Sequence, residues 1–437
     1  MKNIQKRAMA SVGTIGVLAS TVTGCGNASS ASKITTITWL VRSTPAEQQW
    51  EHKVIAYFEK RHPNIRVQLT VIPQSEIDQK MQTMFAAGDP PDVFAPNWAN
   101  AGFRTYQRDL LDLTPYIKKT PGMLQGWNPK SLQPYTVNGH IYAISLNILG
   151  SFLFYNKDLF KQAGIPSLPT NWNDKSWTWA EMVQDAKKLT RGSAGNKQYG
   201  LIDSFDVNGD AWLWGGDLFT KESYQSGIPQ PTLTDPAIKK SMQAHYNLVF
   251  KDKVSPTASQ SSAMSALGDP FLTGKVAMIM NGGWGLWTYL PAQFHWGAAA
   301  LPYTVSDRRD VLYVDCMGIA KDSKHKQAAW ELLKTIVDPK TGLKWYMETS
   351  NATPPQQQLL QQWYQQMSKR TGIPVAQLKQ LQEGAVAHGS ESANHMIVHY
   401  NAITNLLAQA GNAVYSGQLS IPQAIKQIGN GLKPFEQ

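Results

Sequence analysis

Four short stretches of this 437-residue chain combine aromatic, amide or charged side chains with small residues: "RSTPAE" (42–47), "APNWAN" (95–100), "SLNILG" (145–150) and "NGGWGLW" (281–287). Such a mixture suits non-covalent recognition of a sugar. A pyranose has an apolar C–H face and a rim of hydroxyls, so it needs an indole to lie on and Asn, Asp, Glu or Arg around the rim. Other chemistry finds less support. The chain has no G-x-S-x-G, no H-E-x-x-H and no phosphate loop. A glycosidase needs two carboxylates about 5–9 Å apart, and the sequence fixes no such pair. Glu391, His395 and His399 in "ESANHMIVHY" stand at i, i+4 and i+8. On a helix they would form one stripe, a spacing that zinc sites use and that ordinary polar helix faces use far more often. The residues favour binding over catalysis.

The elements that must position these stretches follow from pattern and caps. "ITTITWLV" is an apolar strand, and "TPAEQQWEHKVIAYFEKRHP" places Trp50, Val54, Tyr57 and Phe58 on one helix face. "IRVQLTVIP" alternates as a strand, "SEIDQKMQTMFAAG" repeats the helical face, and "PPDVFAP" is a third strand. Strand–helix–strand–helix–strand is the order of an α/β fold with a parallel sheet. Further on, Thr178 with Glu181 predicts a capped helix, as does Asp235 with Pro236. "FLTGKVAMIM", "WGAAALP" and "LYVDCMGIA" read as strands, and "NGDAWLWGGDLF" as an extended segment with Trp212 and Trp214 on one face, one toward the ligand and one in the core. A chain this long exceeds one core and suits two lobes. In an open parallel sheet the loops at the carboxyl ends of the strands form the binding crevice, which is where the four stretches fall.

The ends and the composition bound the setting. "MKNIQKR" and the apolar stretch from Ala8 to Ser20 are predicted to form a secretory signal over residues 1–24, and "VTGC" resembles the bacterial lipobox. The resemblance implies a diacylglyceryl group on Cys25, with residues 25–32 as a polar tether. Lipid attachment to the extracellular face of the membrane is therefore expected. Cys316 is left without an intramolecular partner and is expected as a buried small hydrophobe. No later run reaches eighteen apolar residues. The formal charge is +10, but Lys and Arg are scattered and charged residues make up 16% of the chain, so the clustered basic face of a nucleic-acid binder is missing.

The order of motifs resembles the carbohydrate-binding branch of the extracellular solute-binding proteins of ATP-driven importers, the branch of maltose-binding protein. The resemblance is carried by "GDPPDVF", "LLDLTPYI", "IYAIS" with "LFYNKDLFKQAGI", "TWAEMVQDAKKLT", "FLTGKVAMIMNGGWGLW" and "AAWELLKTIVDPKTGLKWYMETSNATPP". It implies a two-lobed periplasmic-binding-protein type II fold with a hinge. Lobe one would be 33–147 plus 290–350, and lobe two 148–289 plus 351–437, with crossings near Asn147, Trp287 and Asn351. It also implies a monomer without cofactor, catalysis or metal, which closes on sugar and docks on membrane permease subunits. Trp284 is the expected stacking platform, because the family places an aromatic there. Trp287 stays open between ligand and core. Asn97 and Trp98 are expected ligand contacts, and Asn147 a hydroxyl partner. Arg42 and Glu47 are expected to clamp hydroxyls, unless Glu47 serves its helix start. Tyr400 is where relatives present an aromatic. The family's basic residue after "NATPP" is absent. An anionic ligand, a metal and a glycoside hydrolase are the alternatives.

Overall fold

The computed structural model of the chain describes residues 34–97, 102–193 and 196–436. The expected signal (1–24), Cys25, the tether and Trp98 lie outside the described residues. The strands that build the site are β1 (Thr35–Val41), β2 (Ile65–Val71), β3 (Val93–Phe94), β4 (Ala143–Ser145), β5 (Ser151–Asn156), β6 (Tyr199–Asp203), β7 (Val276–Gly282), β8 (Trp296–Ala299), β9 (Asp310–Leu312), β10 (Cys316–Ile319) and β11 (Gly389–Glu391). They form two main sheets, one per lobe. The first has the order β2-β1-β3-β10-β4, with β1 parallel to β2 and β3, and β10 antiparallel to β3 and β4. The second has the order β8-β5-β7-β6, with only β6 and β7 parallel. A parallel pair, β9 with β11, links the return segment to the C-terminal helices.

Local signals account for the helices beside these strands. Thr44 caps the helix Pro45–Arg61 through Glu47 N–H, and the Glu47 carboxylate accepts the Thr44 N–H at 2.7 Å, a complete capping box. Trp50, Val54 and Phe58 are its fully buried face. Thr178 and Asp235 cap the helices Trp179–Leu189 and Pro236–Tyr246 as expected. Burial of these apolar faces on the sheets is what holds each lobe. Cys316 is free and buried. Among the described residues no helix is long and apolar enough to cross a membrane.

The chain passes between lobes on a short ladder. Leu146 N–H donates to the Asp315 carbonyl at 2.7 Å, and Leu149 and Tyr313 exchange N–H···O bonds at 2.9 Å. Beside them Ile148 N–H reaches the Thr353 carbonyl at 3.0 Å, just past Asn351, which ends its helix in the left-handed region at φ 63°. Two of the positions at which crossings were expected, Asn147 and Asn351, lie on or beside this ladder. The one expected near Trp287 does not. β8 pairs with β5 in the second sheet, Tyr303 N–H donates to the Trp177 carbonyl and Arg309 N–H to the Trp212 carbonyl. Residues 290–309 therefore stay with lobe two, and the chain returns only between Asp310 and Cys316. The run "LYVDCMGIA" is accordingly not one strand: its residues 313–315 are the hinge between β9 and β10.

Candidate functional site

On the lobe-two side, a cavity of about 250 Å³ opens at the carboxyl end of β6, walled by Asp206, Trp212, Tyr313, Asn394 and Tyr400. Asp206 caps the helix Val207–Leu213, its Oδ1 accepting from Gly209 N–H at 2.7 Å, while its Oδ2 accepts the Tyr400 hydroxyl at 2.9 Å. Burial, with Asp206 beside it, pushes the Tyr400 phenol well above its ordinary range, so it stays a donor. Trp212 is 1% exposed and held by the Arg309 guanidinium, 4.6 Å from its ring centre. Arg309 is in turn paired to Asp217 at 2.7 Å. The Trp212 Nε1 donor and the Asn394 Oδ1 acceptor are buried without hydrogen-bond partners. Such groups cost stability until something bonds them, and a hydroxyl can both accept and donate.

Trp284 follows β7 and packs edge-on against Tyr313, with centroids 4.8 Å apart. Its outer ring folds back over Gly282: a Cβ there would lie 2.2–2.5 Å from three ring carbons. Gly283 N–H donates to the Gly150 carbonyl at 2.6 Å. Neither glycine has positive φ, so close approach, not backbone freedom, is what the two positions need. Trp287 is half-buried and packs against the main core of the protein.

On the lobe-one side, Arg42, Glu47, Asn147 and Asp315 gather about Tyr346. Its hydroxyl is raised well above the ordinary phenol range, first by burial and then by Glu47 and Asp315, while Arg42 and a hydrogen bond from Asn147 oppose the shift. Arg42 donates to Gln74 Oε1 at 2.7 Å. Asn147 spans Asp315, its Nδ2 donating to the carboxylate at 2.6 Å and its Oδ1 accepting the backbone N–H at 2.9 Å. Tyr313 and Asp315 are the partly exposed positions of an extended hinge in which Val314 is buried. They share one face, which joins the two halves of the site.

Three expectations need correction. Asn97 is 2% exposed, and its amide is committed to the protein. It donates to Val314 O at 2.6 Å and Tyr135 Oη at 3.0 Å, and accepts Cys316 N–H at 3.2 Å, so it pins the return segment. "NGDAWLW" is helical rather than extended, so Trp212 and Trp214 diverge. Trp212 lines the cavity, whereas Trp214 packs against Trp179, centroids 5.4 Å apart, with Lys240 over its ring in a separate surface depression. The stripe of Glu391, His395 and His399 does not form, because Glu391 ends β11 and His399 has φ 58°, exposed beside Phe435. Glu391 Oε1 and His395 Nδ1 instead bond each other. The sequence reading missed Asp206, Tyr313, Asp315 and Asn394. Asp206 carried a usable signal, an acid directly before a helix start, while the hinge pair was hidden in an apolar run.

Comparison with known proteins places this geometry. The profile of the bacterial extracellular solute-binding proteins matches residues 43–342. The maltodextrin-binding protein MdxE of Bacillus subtilis is 24% identical over 355 residues, covering 79% of each chain. The galactooligosaccharide-binding protein of the same organism is 24% identical over 317 residues, 69% of this chain and 70% of that one. Among solved structures, the substrate-binding protein Lmo0181 of Listeria monocytogenes, in complex with cycloalternan, superposes with a TM-score of 0.76 at 23% identity, covering 92% of this chain and 99% of that one. The maltose-bound MalE3 of T. maritima gives 0.71 at 20% identity, covering 91% and 99%. Two lobes with strand order 2-1-3-10-4 in the first, and a hinge of crossing segments beside an aromatic site, are the type II binding-protein fold, and the chain belongs to the family of bacterial extracellular solute-binding proteins.

Proposed function

We propose that this chain is a receptor that captures a sugar, most naturally an oligosaccharide, between its lobes and delivers it to the membrane subunits of an ATP-driven importer. The observation that carries the reading is the aromatic pair Trp284–Tyr313 beside a wall where Trp212 Nε1 and Asn394 Oδ1 lack partners. Stacking on the rings and hydroxyls on the orphan groups would complete the site. Asp206 and Tyr400 from lobe two, and Arg42 and Glu47 with Asp315 from lobe one, supply the polar rim. Asn147, 1% exposed with its amide bonded to Asp315, holds that carboxylate in place rather than meeting a hydroxyl as expected. Trp287 and, from its sequence alone, Trp98 are further candidates. Relatives named for maltodextrin and galactooligosaccharide support the ligand class.

Closure is the proposed mechanism. A ligand touching both lobes only when they meet drives the hinge by that difference in affinity. The short ladder between 146–149 and 313–315 is the natural pivot. Cys25 is the proposed lipid attachment, holding a monomer at the outer face of the membrane. The sugar leaves intact, since the chain acts as receptor and not as enzyme. A thermal-shift screen of the full-length protein against saccharides and uronates tests the reading. A ligand at a hundred times its dissociation constant stabilises by about 2.7 kcal/mol, so one saccharide series should raise the melting temperature clearly. A shift with uronates alone would change the ligand class, and no shift with any saccharide would overturn the reading.

A further inference from the structure

Away from the aromatic site, lobe two holds a second polar cluster. Asp203 is the last residue of β6, Asp210 lies in the helix Val207–Leu213, and His245 is one residue from the end of the helix Pro236–Tyr246. A strand, the helix that follows it and a helix further along the chain thus turn two carboxylates and an imidazole toward one another. One donor atom from each lies within 4.8 Å of the others. They stand at the wall of a cavity of about 330 Å³ that adjoins the sugar cavity through Ser204, Phe205 and Asp206.

We propose that Asp203, Asp210 and His245 form a binding site for one divalent transition-metal cation of the zinc class. The distances fit. His245 Nδ1 lies 3.3 Å from Asp210 Oδ2 and 3.7 Å from Asp203 Oδ2. Ligands about 2.1 Å from a tetrahedral zinc stand about 3.4 Å from each other. The second observation is Asp203 itself. Its side chain is 1% exposed, yet Oδ2 is buried without a hydrogen-bond partner while Oδ1 accepts Phe205 N–H at 3.1 Å. A carboxylate oxygen left this way is costly, and a cation removes the cost. The surroundings agree. A third acid, Asp206, stands beside Asp210 and adds to the negative charge that a cation would neutralise. The imidazole is held flat against Tyr415, centroids 4.1 Å apart at 14°, which fixes the ring in the way that supporting residues orient a metal ligand.

The donor set selects the ion. One imidazole nitrogen with two carboxylates suits zinc or manganese, whereas calcium takes oxygen ligands throughout. Three protein donors leave coordination positions open toward the cavity, where water completes the shell. The bound ion would tie β6 to the two helices and stiffen the wall behind Asp206. It would act within lobe two, whatever the sugar.

The test uses full-length protein stripped with EDTA and dialysed against zinc chloride, with bound metal measured by mass spectrometry and melting followed by circular dichroism. One equivalent of zinc and a melting temperature raised by several degrees are expected. Cobalt in its place should give visible absorption from a mixed nitrogen and oxygen shell. Asp210→Asn and His245→Gln should each lose the metal and the thermal gain, while His399→Gln, at the exposed histidine, should keep both. Asp210→Asn keeps the size of the side chain, and near-ultraviolet circular dichroism checks that both variants fold. Binding well below one equivalent, or zinc retained in both site variants, would overturn the assignment.

Discussion

Gly282→Ala tests the aromatic platform without touching an aromatic residue. The Trp284 ring lies where the new Cβ would stand, 2.2 Å from its nearest ring carbon, against the 3.4–4 Å of an ordinary contact. The backbone of Gly282 is not in the left-handed region, so alanine fits the chain and the conflict falls on the indole. The ring must retreat by more than an ångström and give up its packing on Tyr313. An indole face covered by a pyranose loses on the order of 70 Å² from water, worth about 2 kcal/mol at ~25 cal/mol per Å². Isothermal titration with the best saccharide should therefore show affinity reduced about 20- to 30-fold. Trp284→Ala should cost a similar factor. The double variant should cost no more than Trp284→Ala alone, because both act through one ring. Wild-type affinity in Gly282→Ala, or losses that add in the double variant, would refute the reasoning.

Other perturbations separate the residues of the site. Tyr400→Phe removes a hydrogen bond to the Asp206 carboxylate and should lower stability by about 1.5–3 kcal/mol in urea unfolding; an unchanged midpoint would count against that bond. Trp214→Ala should leave sugar affinity unchanged by titration, since its ring packs on Trp179 outside the cavity. Glu51 is buried behind the first loop, and burial raises its carboxyl from 4.5 to about 8. The folded chain then keeps a proton that the unfolded chain has released, so stability falls as pH rises from about 4.5 to 8. At ~1.4 kcal/mol per decade that window is worth at most ~5 kcal/mol. Glu51→Gln should flatten the fall, measured as melting temperature against pH.

Where caps and periodicity agreed, the elements were legible. The helix Pro45–Arg61 shows its capping box and its buried stripe in sequence, and the loops after β1 and β7 could be named because strand ends were visible. The rest depended on tertiary context. In "NGDAWLW" the one local sign of a helix is the Asp206 cap just before it, and packing of Trp212 under Arg309 is not legible in sequence. Nor does an apolar run reveal that Tyr313 and Asp315 are hinge positions, because their exposure depends on where the other lobe lies. Asn97 had the type and place of a ligand contact, yet three partners from residues 135–316 claim its amide. Residue type and strand-end position pointed to loops beside the cavity, but only packing shows which polar groups the protein itself already uses.

Native mass spectrometry of the full-length protein, mixed with malto- and galacto-oligosaccharides, tests the central claim most directly. One intact oligosaccharide per chain, its mass unchanged after long incubation and its signal lost in Trp284→Ala, is the expected result. Absence of any saccharide adduct, or the appearance of shortened products, would contradict the receptor account.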